Sequence, residues 1–149
     1  MSKKVLVVDD DENTVKFLSV ALRENGYEPV AAYDGEEGFQ KVIESKPDLI
    51  LLDVMMPKRS GFVLFKQLRR KEEYKNIPVI MLTAVADVLE EDENQAGEDT
   101  FERPYDSLRE SLKKTIVQMR EEGLVRPEMF IDKPIDPEKL IESVRELIG

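Results

Sequence analysis

Short apolar runs alternate with segments of helical period along the chain. Val5-Leu6-Val7-Val8 is an unbroken apolar run rich in β-branched residues, which predicts a strand covered on both faces. From Thr14 to Asn25, Val15, Leu18, Ala21 and Leu22 share one stripe, predicting a helix that stops at Gly26. Val30 to Ala32 reads as a weak second strand. Glu36 to Ser45 reads as a helix carrying Phe39, Val42 and Ile43, closed ahead of Pro47. Leu49 to Leu52 is the third and most apolar strand, Gly61 to Lys71 a third helix, and Val79 to Leu82 a fourth strand entered through Pro78. Met129 to Ile131 is a fifth strand. Asp136 as N-cap and Pro137 at the first helical position then open a last helix, with Leu140, Ile141, Val144, Leu147 and Ile148 on its apolar face.

This alternation predicts a doubly wound α/β fold, (βα)5, with a parallel sheet in the order 2-1-3-4-5 and helices on both faces. One irregularity interrupts it. Between strands four and five, about 45 residues replace one helix and its loops. Within that gap Tyr105, Leu108, Leu112, Ile116 and Met119 share a helical face, predicting an amphipathic helix over 105–122 behind an acidic loop.

The length of 149 residues suits a single domain over 1–149, with 87–127 as an insertion within it. Charge changes the picture only locally. The chain carries 32 Asp+Glu against 22 Lys+Arg, a net −10, yet residues 87–106 alone hold nine acids and one base. The remaining residues are therefore nearly balanced, and no basic face is available for direct nucleic-acid binding. With no His and no Cys, the chain excludes His-ligated zinc, a Ser-His-Asp triad, a phosphohistidine carrier, iron–sulfur clusters and thiol nucleophiles. Apolar runs as short as Leu49-Ile50-Leu51-Leu52 do not span a bilayer, so no membrane association and a cytoplasmic location are expected.

Candidate chemistry lies at the strand ends. In an open parallel sheet, side chains just past the C-terminal ends of the strands converge, and ligands bind at the switch point. Those positions hold Asp9, Asp10 and Asp11 after strand one, Asp53 after strand three, Thr83 after strand four and Lys133 after strand five. Two carboxylates about 4 Å apart repel by roughly 4 kcal/mol at an effective dielectric of about 20, so such a group calls for a cation. An all-oxygen ligand set open to water suits Mg²⁺, or Mn²⁺ in its place. A nearby ammonium and hydroxyl are suited to gripping a phosphoryl group, and a carboxylate so surrounded can act as the nucleophile and form an acyl phosphate. Asp11 and Glu12 fit better as a helix cap with dipole-favoured charge.

The runs VLVVDDDEN, DLILLDVMMPKRSGF, PVIMLTA and MFIDKPID resemble the receiver domain of two-component response regulators, a CheY-like, flavodoxin-like fold. The likeness covers the chain except residues 87–127. It implies that Asp53 is phosphorylated by a histidine kinase or histidine phosphotransfer protein. It also implies Mg²⁺ held by Asp10, by Asp9 largely through water, by Asp53 and by the backbone carbonyl of Met55. Lys133 would pair with the phosphoryl group and Thr83 would hydrogen-bond to it. Thr83 and Phe130 would form the conformational switch, and the Lys133–Pro134 peptide would be cis.

Two departures from the family pattern matter. The switch aromatic is Phe130 rather than Tyr, so its readout is packing alone. Residues 87–127 fall where the family has its fourth helix, and the insertion is either a docking element for a downstream protein or a lid, or else a solvated surface loop. Met55 and Val85, two residues past Asp53 and Thr83, are apolar and unable to orient an attacking water, which predicts a phosphorylated form lasting hours. The expectation is a stand-alone receiver that signals by protein–protein contact, not an enzyme beyond assisting its own phosphorylation and dephosphorylation. Two alternatives remain at this stage: an Mg²⁺-dependent aspartyl-phosphate phosphohydrolase, whose usual second Asp is here Met55, and a phosphorylation-independent pseudo-receiver binding module.

Overall fold

The computed structural model describes residues 2–54, 56, 61–83, 114, 117 and 127–149. Five strands, β1 (Lys4–Val8), β2 (Glu28–Ala32), β3 (Leu49–Asp53), β4 (Val79–Thr83) and β5 (Met129–Asp132), form one sheet in the order β2-β1-β3-β4-β5. Every pairing is parallel, with Val5 opposite Leu49, Ile50 opposite Val79 and Ile80 opposite Met129. Helices α1 (Glu12–Glu24), α2 (Gly35–Ser45), α3 (Gly61–Arg69) and α4 (Pro137–Ile148) cover it. The expected doubly wound topology is therefore the one adopted.

Strand alternation sorts the core into two layers. Val5, Val7, Leu49, Leu51, Ile80 and Leu82 pack against Val15, Leu18 and Leu22 of α1 and Leu140, Ile141 and Val144 of α4. Leu6, Val8, Ile50, Leu52, Val79 and Met81 face the other way, onto Val42 of α2 and Phe62, Phe65 and Leu68 of α3. The five residues of β3 are all buried, as its unbroken apolar run requires. Burying a side chain of leucine size is worth about 1.5–3 kcal/mol, so these two layers hold the sheet's C-terminal edge rigid enough to carry a site.

The helix starts follow from side-chain capping. Asp11 accepts from the Asn13 N–H at 3.0 Å, Asp34 from Glu37 at 2.7 Å and Asp136 from Glu138 at 3.0 Å, with Pro137 in the first turn. Gly26, at φ 87, takes the left-handed position just past α1. Two expectations need correction. In α2, Ile43 is exposed, and the buried face is Gly35, Gly38 and Val42. Gly38 allows this close approach, because an added Cβ would lie 3.0 Å from Leu64 and 3.2 Å from the Val8 methyls. Helix α3 ends at Arg69, two residues early, because that side chain turns inward to the carbonyls of Lys75 (2.9 Å) and Ile77 (2.7 Å).

Arg69 is the one large buried polar feature away from the strand ends among the described residues. It also meets both carboxylate oxygens of Glu128, at 3.0 and 3.1 Å, and lies 4.7 Å over the Phe65 ring. Burial lowers the Arg69 pKa from its ordinary value, and the Glu128 charge opposes the shift.

The acidic stretch 87–106 lies outside the described residues. So does the helix expected over 105–122, apart from Lys114 and Val117, which are helical and exposed. No helix among the described residues is long and apolar enough to cross a membrane.

Candidate functional site

Four strand ends build the site. The backbone of Asp9 leaves β1 still tied to the sheet, its N–H donating to the Ala32 carbonyl at 3.1 Å. Its side chain is fully buried; Oδ1 accepts from the Asp11 N–H at 2.9 Å. Asp10, one residue on, points to the exposed side. Asp53 ends β3 and is 2% exposed, and Thr83 ends β4 and is fully buried. Lys133 follows β5, with its N–H donating to the Thr83 carbonyl at 3.1 Å. The Lys133–Pro134 peptide is cis.

The side chains converge as the strand-end reading requires. Carboxylate oxygens of Asp9, Asp10 and Asp53 lie within 4.8 Å of one another. The Lys133 Nζ donates to Asp9 Oδ2 at 2.9 Å and sits 3.4 Å from Asp53 Oδ1. Burial would lower the lysine pKa, but the hydrogen bond to Asp9 and the charges of Asp53 and Asp9 outweigh it and hold the ammonium above its ordinary value. One ammonium still leaves three carboxylates with two negative charges in excess, each close pair repelling by about 3–4 kcal/mol at an effective dielectric of about 20. This hard, oxygen-only donor set, open to solvent on the Asp10 side, fits Mg²⁺, which keeps several waters and tolerates few protein ligands. Met55, expected to add its carbonyl, lies outside the described residues, as does Val85.

Phe130 is 6% exposed and packs in the layer under α2 and α3 with Met81 and Val79. Asp11 caps α1, as expected, and accepts from the Thr14 hydroxyl at 3.0 Å. That bond, with the Asn13 N–H, lowers its pKa.

Gly61 is a site residue that periodicity does not reveal. At the start of α3 its N–H donates to the Val54 carbonyl at 3.0 Å. A Cβ added there would collide with the Asp53 carbonyl oxygen and lie 3.0 Å from its carbonyl carbon. The bare Cα lets α3 close onto the backbone of Asp53. The only trace of this in the sequence is a glycine eight residues after Asp53 where a helix begins.

Comparisons with known proteins agree with this geometry. The family model of the response regulator receiver domain matches residues 5–102. The chain is 49% identical over 84 residues to the alkaline phosphatase synthesis transcriptional regulatory protein PhoP of Bacillus subtilis, covering 56% of this chain and 34% of that protein. It is 35% identical over 105 residues to the DNA-binding dual master transcriptional regulator RpaA of Synechocystis sp., covering 69% of this chain and 44% of that one. The chain thus spans less than half the length of these curated relatives. Among solved structures, chemotaxis protein CheY4 of Vibrio cholerae matches with TM-score 0.69 and 26% identity, covering 99% of both chains. A putative response regulator from Chloroflexus aurantiacus matches with TM-score 0.71 and 26% identity, covering 99% of this chain and 98% of that one.

Proposed function

Because the chain belongs to the response regulator receiver family, we propose that it is a phosphorylation-activated switch whose acceptor is Asp53. The phosphoryl donor is a phosphohistidine on a histidine kinase or phosphotransfer protein. The observation that carries this reading is the convergence of Asp9, Asp10 and Asp53 around one point, with the Lys133 ammonium against two of them.

In the proposed reaction a carboxylate oxygen of Asp53 attacks the phosphorus in line. A new O–P bond forms as the N–P bond of the donor breaks, and the imidazole leaves with the bonding pair and takes up a proton. Bound Mg²⁺ would neutralise charge on the transferring phosphoryl oxygens. Asp9, Asp10 and Asp53 supply the carboxylates that would hold the ion. The Lys133 ammonium, already 3.4 Å from Asp53, moves its contact onto the new phosphoryl group. The Thr83 hydroxyl donates to the same group, and the rearrangement shifts the packing of Phe130, so that phosphorylation selects between two arrangements of the β4–β5 edge.

Output is contact with a downstream protein, with docking through residues 87–127 part of the proposal, and the chain acts on itself rather than turning over a separate substrate. Its net charge of −10 disfavours direct binding to nucleic acid. A cytoplasmic place of action belongs to the same reading. Incubating the chain with Mg²⁺ and acetyl phosphate is expected to add the mass of one phosphoryl group, and Asp53→Asn to lose it. No addition to the parent chain would reject the acceptor role, and repeated turnover of a phosphoester would favour a hydrolase.

A further inference from the structure

Strand β5 is the shortest strand of the sheet and one of its two edges. Of its four residues only Phe130 is buried, with Met129 and Ile131 half-buried on the opposite face. Register is well specified where one face of a strand is buried and poorly specified where few side chains are. The long connection from Thr83 to Met129 adds no register information, since a connection of that length closes at nearly equal entropic cost in neighbouring registers. Yet the site tolerates one register only. A slip of one residue would turn Phe130 outward and carry Lys133 away from Asp9 and Asp53.

A polar clamp stands at the other end of the strand from Lys133. The Glu128 N–H donates to the Val79 carbonyl at 3.0 Å, and its carboxylate accepts from the Val79 N–H. One residue therefore closes both sides of the β4–β5 ladder at its start. The same carboxylate takes Arg69 Nη2 on both oxygens, at 3.0 and 3.1 Å. The Arg69 side chain is 1% exposed and is held from its own side by the Lys75 and Ile77 carbonyls and the Phe65 ring. In either neighbouring register Pro127 or Met129 would face it. Neither carries an acceptor on its side chain, and the guanidinium would be left buried without a counter-charge, a costly arrangement.

We propose that Arg69 and Glu128 are positioning residues for Lys133: their ion pair sets the register of β5 and so places the ammonium against the acceptor aspartate. The effect on phosphorylation rests on the receiver reading above, whereas the effect on register does not.

The test uses the full chain and the variants Glu128→Gln, which keeps the shape and an acceptor for Val79, and Arg69→Met. Leu22→Ala, a cavity in the α1 layer, serves as the control for lost stability. Amide hydrogen exchange over Met129–Asp132 is expected to quicken about tenfold or more in both pair variants, with β1 and β3 unchanged. Mg²⁺ affinity by calorimetry should not fall, because its carboxylates follow β1 and β3, and should rise as the Lys133 charge leaves them, while phosphorylation by acetyl phosphate slows about tenfold or more. Leu22→Ala should lower the Tm without either selective effect. Exchange that rises equally in all strands would overturn the proposal, as would Mg²⁺ affinity falling in step with phosphorylation, or unchanged behaviour of Glu128→Gln. A parent chain that takes no phosphoryl group would instead reject the receiver reading, leaving exchange in β5 to decide the register claim.

Discussion

The Nζ of Lys133 donates to Asp9 Oδ2 over 2.9 Å, joining side chains 124 positions apart. This bond is shorter than the 3.4 Å separation from Asp53. The lysine is thus primarily the counter-charge of the buried Asp9 and only secondarily a neighbour of Asp53. It holds the edge strand to the centre of the sheet and shares the acidic pocket with any incoming cation.

Replacing it separates these two roles. Lys133→Met removes the positive charge facing the three acids, and Mg²⁺ affinity is expected to rise by up to about tenfold. Phosphorylation by acetyl phosphate should instead slow by about a hundredfold or more, because a donor aimed at the transferring group is lost. Titration calorimetry and intact-mass kinetics measure the two, and a fall in Mg²⁺ affinity would contradict the electrostatic account.

The two closely packed glycines should respond unequally to alanine. Gly38→Ala meets the ends of Leu64 and Val8 at 3.0–3.2 Å, side chains that can give way. Its cost is expected near 1 kcal/mol, softened by alanine's better helix propensity. Gly61→Ala meets the main chain of Asp53, which cannot yield without moving the Asp53 side chain, the proposed acceptor. About 3 kcal/mol is expected there, together with slower phosphorylation. Urea denaturation of the two variants checks the order.

The phosphorylated form is expected to persist for hours, because Met55 and Val85 offer no hydrogen bond to an attacking water. Met55→Asn should shorten that lifetime by about tenfold or more. Intact mass followed over time reads both, and decay of the parent chain within a minute would overturn the expectation.

Much of the architecture was legible because it rests on local signals. The unbroken runs at Val5–Val8 and Leu49–Leu52 identify buried parallel strands, and Asp136-Pro137 marks a helix start. The site was legible for a related reason: a parallel sheet brings its strand ends to one edge, so Asp9, Asp53, Thr83 and Lys133 could be grouped before any distance was known. Ile43 was misplaced because Phe39, Val42 and Ile43 define an apolar face only if α2 packs by its large residues. Val42 and Phe39 do pack inward, but the rest of the buried face is Gly35 and Gly38, whose lack of a side chain carries no hydrophobic signal, and Ile43 is left outside it. Arg69 escaped notice because a charged residue near a helix end usually faces solvent, and its partner Glu128 lies 59 positions away.

By itself, then, the order of residues determined the element sequence and which groups stand at the strand ends, since periodicity and position along a strand are properties of short segments. The order of the strands in the sheet came from the family resemblance and is the one adopted. Only the tertiary structure decided that Lys133 bonds first to Asp9, that Gly61 lies against the Asp53 main chain, and that Arg69 and Glu128 pin the edge strand. Those contacts depend on how two helical layers settle on a twisted sheet. No local pattern encodes a distance between side chains that different layers deliver.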